Sequence, residues 1–179
     1  LATTATTLLA GSVVADVRAV PAAGTGTKAG SPGVIAARDT PAKRAAVSSI
    51  NRQQADLVDL SDRIWAYAET ALRETRSAAA LADYAEQQGF KVERGVAGMP
   101  TAFVATYGSG RPVIGIMGEY DALPGVSQKA SPVQEPLEPG AGGHGCGHNL
   151  FGSASLGAAI AIKEQIAAGT LRGTVNFFG

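Results

Sequence analysis

Cysteine and histidine are nearly absent from this sequence. One cysteine and two histidines serve 179 residues. A single cysteine forms no internal disulfide, so no cross-link supports the fold and the redox compartment cannot be read from cysteine usage. An excess of one charge is missing too. Fifteen basic and 15 acidic residues cancel, which removes the basic field that nucleic acid would need. No charge run is long enough to act as a tail. Aromatic residues are only 6% of the chain, so the 45% apolar content is mostly aliphatic and small, beside 23 glycines. Such a composition suits a globular domain whose helices and sheet approach closely. No apolar run reaches the ~20 residues that cross a bilayer, so no membrane helix is expected.

The first fifty residues differ from the rest. Leu1 to Ala15 is small and apolar, and the following stretch to Pro41 is rich in Ala, Gly, Pro and Thr. The run Leu8–Ala15, followed by small residues near Ala19–Ala23, has the form of the back half of a secretory signal, but it lacks a Met and a basic start. Residues 1–50 are therefore read as a leader, either a clipped export signal or a low-complexity segment, and residues 51–179 as the folded part. Cytoplasmic and exported locations both remain open.

From Ile50 onward the pattern is α/β. Leu57, Leu60, Ile64, Tyr67, Ala68 and Ala71 recur at helical spacing and predict a helix over Asn51–Thr75. A second helix is predicted over Ser77–Gln88, capped by Ser77 and stopped by Gly89. Phe90–Arg94 is a short strand. Thr101–Tyr107 and Val113–Gly118 read as strands, and Gly108-Ser109-Gly110 between them predicts a hairpin. The second strand is apolar throughout, as a central strand covered on both faces would be. Asp121–Asn149 is a long Gly- and Pro-rich loop, of a length usually tied to function. Helix Ser153–Ala168 follows, with Gly152 and Gly157 expected to let it approach the sheet, and then strand Thr174–Phe178. The order predicts a mixed sheet flanked by helices, with its active loops at the carboxyl ends of the strands.

Both histidines and the cysteine fall within five residues, in Gly-Gly-His144-Gly-Cys146-Gly-His148-Asn149. Imidazole and thiolate are strong ligands for borderline-soft divalent metals. Cys146 and His148, two apart, would share a side in an extended segment. Gly143, Gly145 and Gly147 remove bulk and permit unusual backbone angles. A buried structural cysteine and structural histidines are the bland alternative. A second element is Gly118-Glu119-Tyr120-Asp121-Ala122-Leu123-Pro124. Its two carboxylates at a strand end could hold a metal, orient an imidazole, or simply be solvated.

Other chemistries fit worse. The chain has no phosphate loop ending in Lys-Ser/Thr and no Gly-x-Ser-x-Gly elbow. A Cys–His nucleophilic pair usually draws on distant segments, whereas His144 and His148 adjoin Cys146. A structural zinc finger needs about four Cys/His ligands, and the chain offers at most three.

Four segments carry a resemblance. They are Asp62-Arg63-Ile64-Trp65 with Glu69-Thr70, Gly95 to Ala102, Gly118 to Pro124, and Gly143 to Asn149. From about Arg52 to Gly179 the chain resembles the N-terminal part of the catalytic domain of metallopeptidase family twenty, which includes aminoacylases, carboxypeptidases and amidohydrolases. Within it the likeness is to the amidohydrolase branch, of the aminobenzoyl-glutamate type.

The resemblance implies an α/β zinc-peptidase-like domain and a hydrolase with two divalent metal ions, Zn or Mn. Its substrates would be N-acyl or N-aroyl amino acids, or dipeptides. Cys146 and His148 inherit ligand roles, His144 a supporting place beside them, and Asp121 that of the carboxylate orienting the centre. Glu119 stands where other branches carry a ligand histidine and many amidohydrolases an aspartate. Asn149 replaces the aspartate of the commoner loop. The family's general-base glutamate pair, later histidine ligands and lid domain would follow Gly179. The chain is thus expected to be a fragment, inactive alone, of a parent that forms a homo-oligomer, with no nucleic-acid or membrane partner. The alternative from another class is a non-enzymatic metal- or partner-binding module completed by a second chain.

Overall fold

A computed structural model describes residues 39–179. The export-signal reading of Leu8–Ala23 lies outside the described residues. Helix α1 spans Pro41–Tyr67, ten residues earlier than the apolar stripe alone predicts. The missed signal is local. Thr40 accepts a hydrogen bond from the Lys43 amide, and Pro41 occupies the first turn, where its lack of an N–H costs nothing. The helix stops early as well, with Ala68 in the left-handed region at φ 45°.

Helix α2 spans Thr75–Gln87. Ser77 is not its cap but lies inside it, fully buried, and Gly89 takes the left-handed position at φ 86° as expected. Strands β1 (Lys91–Arg94), β2 (Phe103–Ser109) and β3 (Val113–Met117) follow, then helix α3 (His148–Ala167) and strand β4 (Gly173–Phe178).

The sheet is mixed, in the order β1-β2-β4-β3. Strand β4 runs antiparallel to β2 and parallel to β3. The expected hairpin between β2 and β3 is therefore absent, because β4 lies between them. The residues that read as a turn are drawn to β4 instead. Thr174 Oγ1 donates to the Gly110 carbonyl, and the Thr174 amide donates to Pro112 O, each at 2.9 Å. A parallel neighbour requires a crossover, which α3 and the long loop supply.

Helices α2 and α3 lie on the sheet, and α1 packs across both helices. The core joins Leu60 and Ile64 of α1, Leu81 of α2, Leu156 and Ile160 of α3, and Phe103, Val175 and Phe177 of the sheet, all essentially inaccessible. Gly157 serves a different contact from the one its sequence position suggested. A Cβ there would lie 2.8 Å from Leu57 Cδ1, so it admits α1 rather than the sheet.

Strand β3 also departs from expectation. It borders the sheet, and Val113, Ile114 and Met117 are exposed. Its continuous apolarity, the mark of a two-sided central strand, has no covering layer among the described residues. No described helix is long and apolar enough to cross a membrane.

Candidate metal centre

The centre forms where β3 ends. The Gly118 amide donates to Phe178 O at 3.0 Å, so the β3 segment stays against β4 for one residue past the strand. Side chains then alternate, as in a strand. Tyr120 turns into the core and donates its hydroxyl to the Thr101 carbonyl, while Glu119 and Asp121 face the other way. Burial, with the Glu74 carboxylate second, pushes the Tyr120 phenol far above its ordinary range, so this anchor stays protonated. The Ala122 amide donates to Glu69 O at 2.7 Å, and Leu123 and Gly143 exchange two backbone hydrogen bonds. These contacts fix the backbone on either side of Asp121.

The second wall is the start of α3. Cys146 lies in a turn and His148 opens the helix, so the extended geometry expected to align them does not form. Gly147 takes φ 80° between them. Of the three glycines, Gly147 alone needs the left-handed region. Gly143 is required for another reason, since a Cβ there would strike the Val126 carbonyl. Gly152, one turn further along α3, lets the helix lie on the carboxylate segment. A Cβ at Gly152 would come 2.9 Å from Glu119 O.

These two walls place one imidazole between two carboxylates. His148 Nδ1 lies 2.7 Å from Asp121 Oδ1, and Nε2 lies 3.0 Å from Glu119 Oε2. Among the described residues, Glu119, Asp121 and His148 form the group of three able to share a cation, with donor atoms within 4.8 Å of one another. The donor chemistry fits a divalent metal. With Asp121 accepting Nδ1–H, the Nε2 lone pair and the Glu119 carboxylate face each other as two acceptors. Either a proton or a cation must lie between them. Tetrahedral zinc with bonds near 2.0–2.1 Å separates its ligand atoms by about 3.3 Å, close to the spacing seen.

Cys146 stands apart from this group, exposed on its turn. His144 is directed elsewhere. Its Nε2 lies 3.0 Å from the Ile64 carbonyl, an acceptor only, so this nitrogen carries the proton. Burial lowers the basicity of His144, partly offset by that carbonyl, and the ring is neutral near pH 7. Asn149 is buried and donates Nδ2–H to Ser61 Oγ at 3.0 Å.

The contributions of Ser61, Ile64 and Glu69 to this region were not readable from the sequence. Each acts through a contact across many residues, and in two of them the acceptor is a backbone carbonyl. A cleft of about 250 Å³ runs beside Glu119 and Asp121, walled by Leu72, Glu74, Met99 and Phe178.

No protein-family model matches the chain. One of the subunits of the p-aminobenzoyl-glutamate hydrolase of Escherichia coli (strain K12) is 48% identical over 122 residues, which are 68% of this chain and 25% of that protein. The Bacillus subtilis YXEP protein, described as a dinuclear metal-binding peptidase of the M20 family, superposes with a TM-score of 0.60 at 24% identity, over 72% of this chain and 35% of its own. The chain shares the fold of M20 peptidase domains. A protein of methicillin-resistant Staphylococcus aureus assigned as an aminohydrolase shares the fold, with a TM-score of 0.62 at 19% identity over 75% of this chain and 34% of that one. The chain spans about a quarter of the length of the curated relative it matches.

Proposed function

We propose that residues 51–179 form the N-terminal wall of a metal-dependent amidohydrolase site. The observation that carries this reading is the His148 imidazole held between Asp121 and Glu119. In it, His148 Nε2 and Cys146 Sγ are ligands, and Glu119 shares the cation. Asp121 fixes the imidazole tautomer by accepting Nδ1–H, the usual partner of a metal-bound histidine. His144 supports the loop through Ile64. The residues suit two divalent ions, Zn or Mn.

Bound ions would acidify a bridging water and polarise the scissile carbonyl. The chain's own part is to hold the ligands, keep the tautomer and present the cleft beside Glu119. None of the described carboxylates is assigned as the general base. The substrate class is an N-acyl or N-aroyl amino acid, or a dipeptide. Its support is the 48% identity to a protein named for aminobenzoyl-glutamate hydrolysis.

A second reading, a binding module completed by another chain, draws on the apolar strand β3, which no described element covers. One experiment tests both. The chain is expressed alone and together with the E. coli relative lacking its matched segment, and p-aminobenzoyl-glutamate is supplied with Zn or Mn. Metal uptake without turnover is expected alone, and turnover on complementation. Metal uptake with no hydrolysis in the complemented pair would remove the amidohydrolase reading and favour the module. Turnover by the chain alone would remove the assignment of the base outside it.

A further inference from the structure

Helix α1 meets the glycine loop on both sides of Cys146. On one side the Ile64 carbonyl receives His144 Nε2–H, and on the other Ser61 Oγ receives Asn149 Nδ2–H. The two acceptors are one helical turn apart. The first turn of α3 lacks a side-chain N-cap, because the residue before it is Gly147. Ordinarily a capping hydroxyl or carboxylate would fix the start of such a helix. Here the fixing group comes from another helix. Ser61 and Asn149 are both buried, at 4% and 7% exposure, so solvent does not compete for the bond.

We propose that Ser61 and Asn149 are positioning residues that set where His148 presents its metal-facing nitrogen. Asn149 adjoins His148, so a shift of the first α3 turn displaces the imidazole directly. The 2.7 Å contact with Asp121 leaves little room for such a shift, since ligand geometry must hold within about 0.5 Å. The residue type at 149 matters as well. Asn149 Nδ2 lies near both Ser61 Oγ and, at 3.5 Å, Ser61 O. A carboxylate there could not donate to either oxygen.

The inference rests on the metal reading of His148, and its test separates the two. Cobalt(II) binding to the full 179-residue chain is titrated by calorimetry and by its visible spectrum, for wild type, Ser61→Ala, Ser61→Thr, Asn149→Ala and Leu57→Ala. Ser61→Ala and Asn149→Ala are expected to weaken cobalt binding roughly ten- to a hundredfold, the range for groups that orient a ligand, and to alter the cobalt spectrum. Ser61→Thr, which keeps the hydroxyl, restores both. Leu57→Ala loosens the α1–α3 contact at Gly157, lowers the melting temperature and leaves cobalt affinity unchanged. Wild-type affinity and spectrum in Ser61→Ala and Asn149→Ala would overturn the positioning role while leaving the metal site standing. So would an equal loss of affinity in Leu57→Ala. If Asn149→Ala does not fold, the Ser61 pair decides. A wild-type chain that takes up no cobalt would overturn the metal reading and this inference with it.

Discussion

At the scale of single residues, the centre divides its work among groups of different kinds. Asp121 and Glu119 flank one ring, while Cys146 waits on an exposed turn two residues away. If Cys146 is a ligand, cobalt bound to the chain shows a sulfur-to-metal charge-transfer band. Cys146→Ser should abolish that band, and an unchanged near-ultraviolet spectrum would exclude the thiolate. Asp121→Asn should lower metal affinity about ten- to a hundredfold, because an amide cannot anchor Nδ1–H as a carboxylate does; isothermal titration checks this. The sequence exposed His148, Cys146, Asp121 and Glu119 as candidates because two short motifs concentrate them. It did not expose the bond from His144 to Ile64, since a backbone carbonyl carries no residue identity.

At the scale of elements, the turn into α2 is held by a group that sequence position does not advertise. Glu69 lies outside every element, yet its carboxylate accepts from the Ser77 and Arg76 amides and from Ser77 Oγ at 2.9–3.0 Å. Burial disfavours its ionisation. The Ser77 and Arg76 hydrogen bonds outweigh that and hold its pKa below the usual range. A depressed carboxylate stabilises the fold above its unfolded pKa and loses this contribution as pH falls through the folded one. Acid melting of wild type should therefore steepen below about pH 4.3, the ordinary glutamate value. Glu69→Gln should be about 1–3 kcal/mol less stable at pH 7 and should lose that increment of acid sensitivity, as read by thermal melts across pH. Gly152→Ala should cost about 1–3 kcal/mol by forcing α3 away from the Glu119 carbonyl, measured by urea unfolding.

The helices and strands themselves were largely legible, because each carries its own periodicity. The sequence pattern starts α3 at Ser153, five residues late, since Gly147 and Gly152 look like loop residues until the close contact behind Gly152 is known. Strand pairing was not legible. Gly108-Ser109-Gly110 has hairpin chemistry, but β4, more than sixty residues on, takes the place beside β2.

For the molecule as a whole, the described helices cover the sheet on one side, and no described element covers β3. Exposed Val113, Ile114 and Met117 on a border strand invite pairing with other chains. The isolated chain should self-associate, and Ile114→Lys should shift it toward monomer in sedimentation velocity. A monomeric wild type at tens of micromolar would contradict this. The strand order has a bearing on time as well. β4 is the latest strand along the chain and the one that joins β2 to β3. During synthesis, β2 and β3 must wait without their shared partner while the long loop and α3 are made. Folding of this sheet is governed by a distant closure, such as that of Val113 on Thr174, and so is slow compared with the helices around it. Until that closure, the segments carrying Asp121 and His148 have no common frame, so a metal competent to bind them finds its site only after the last strand has docked.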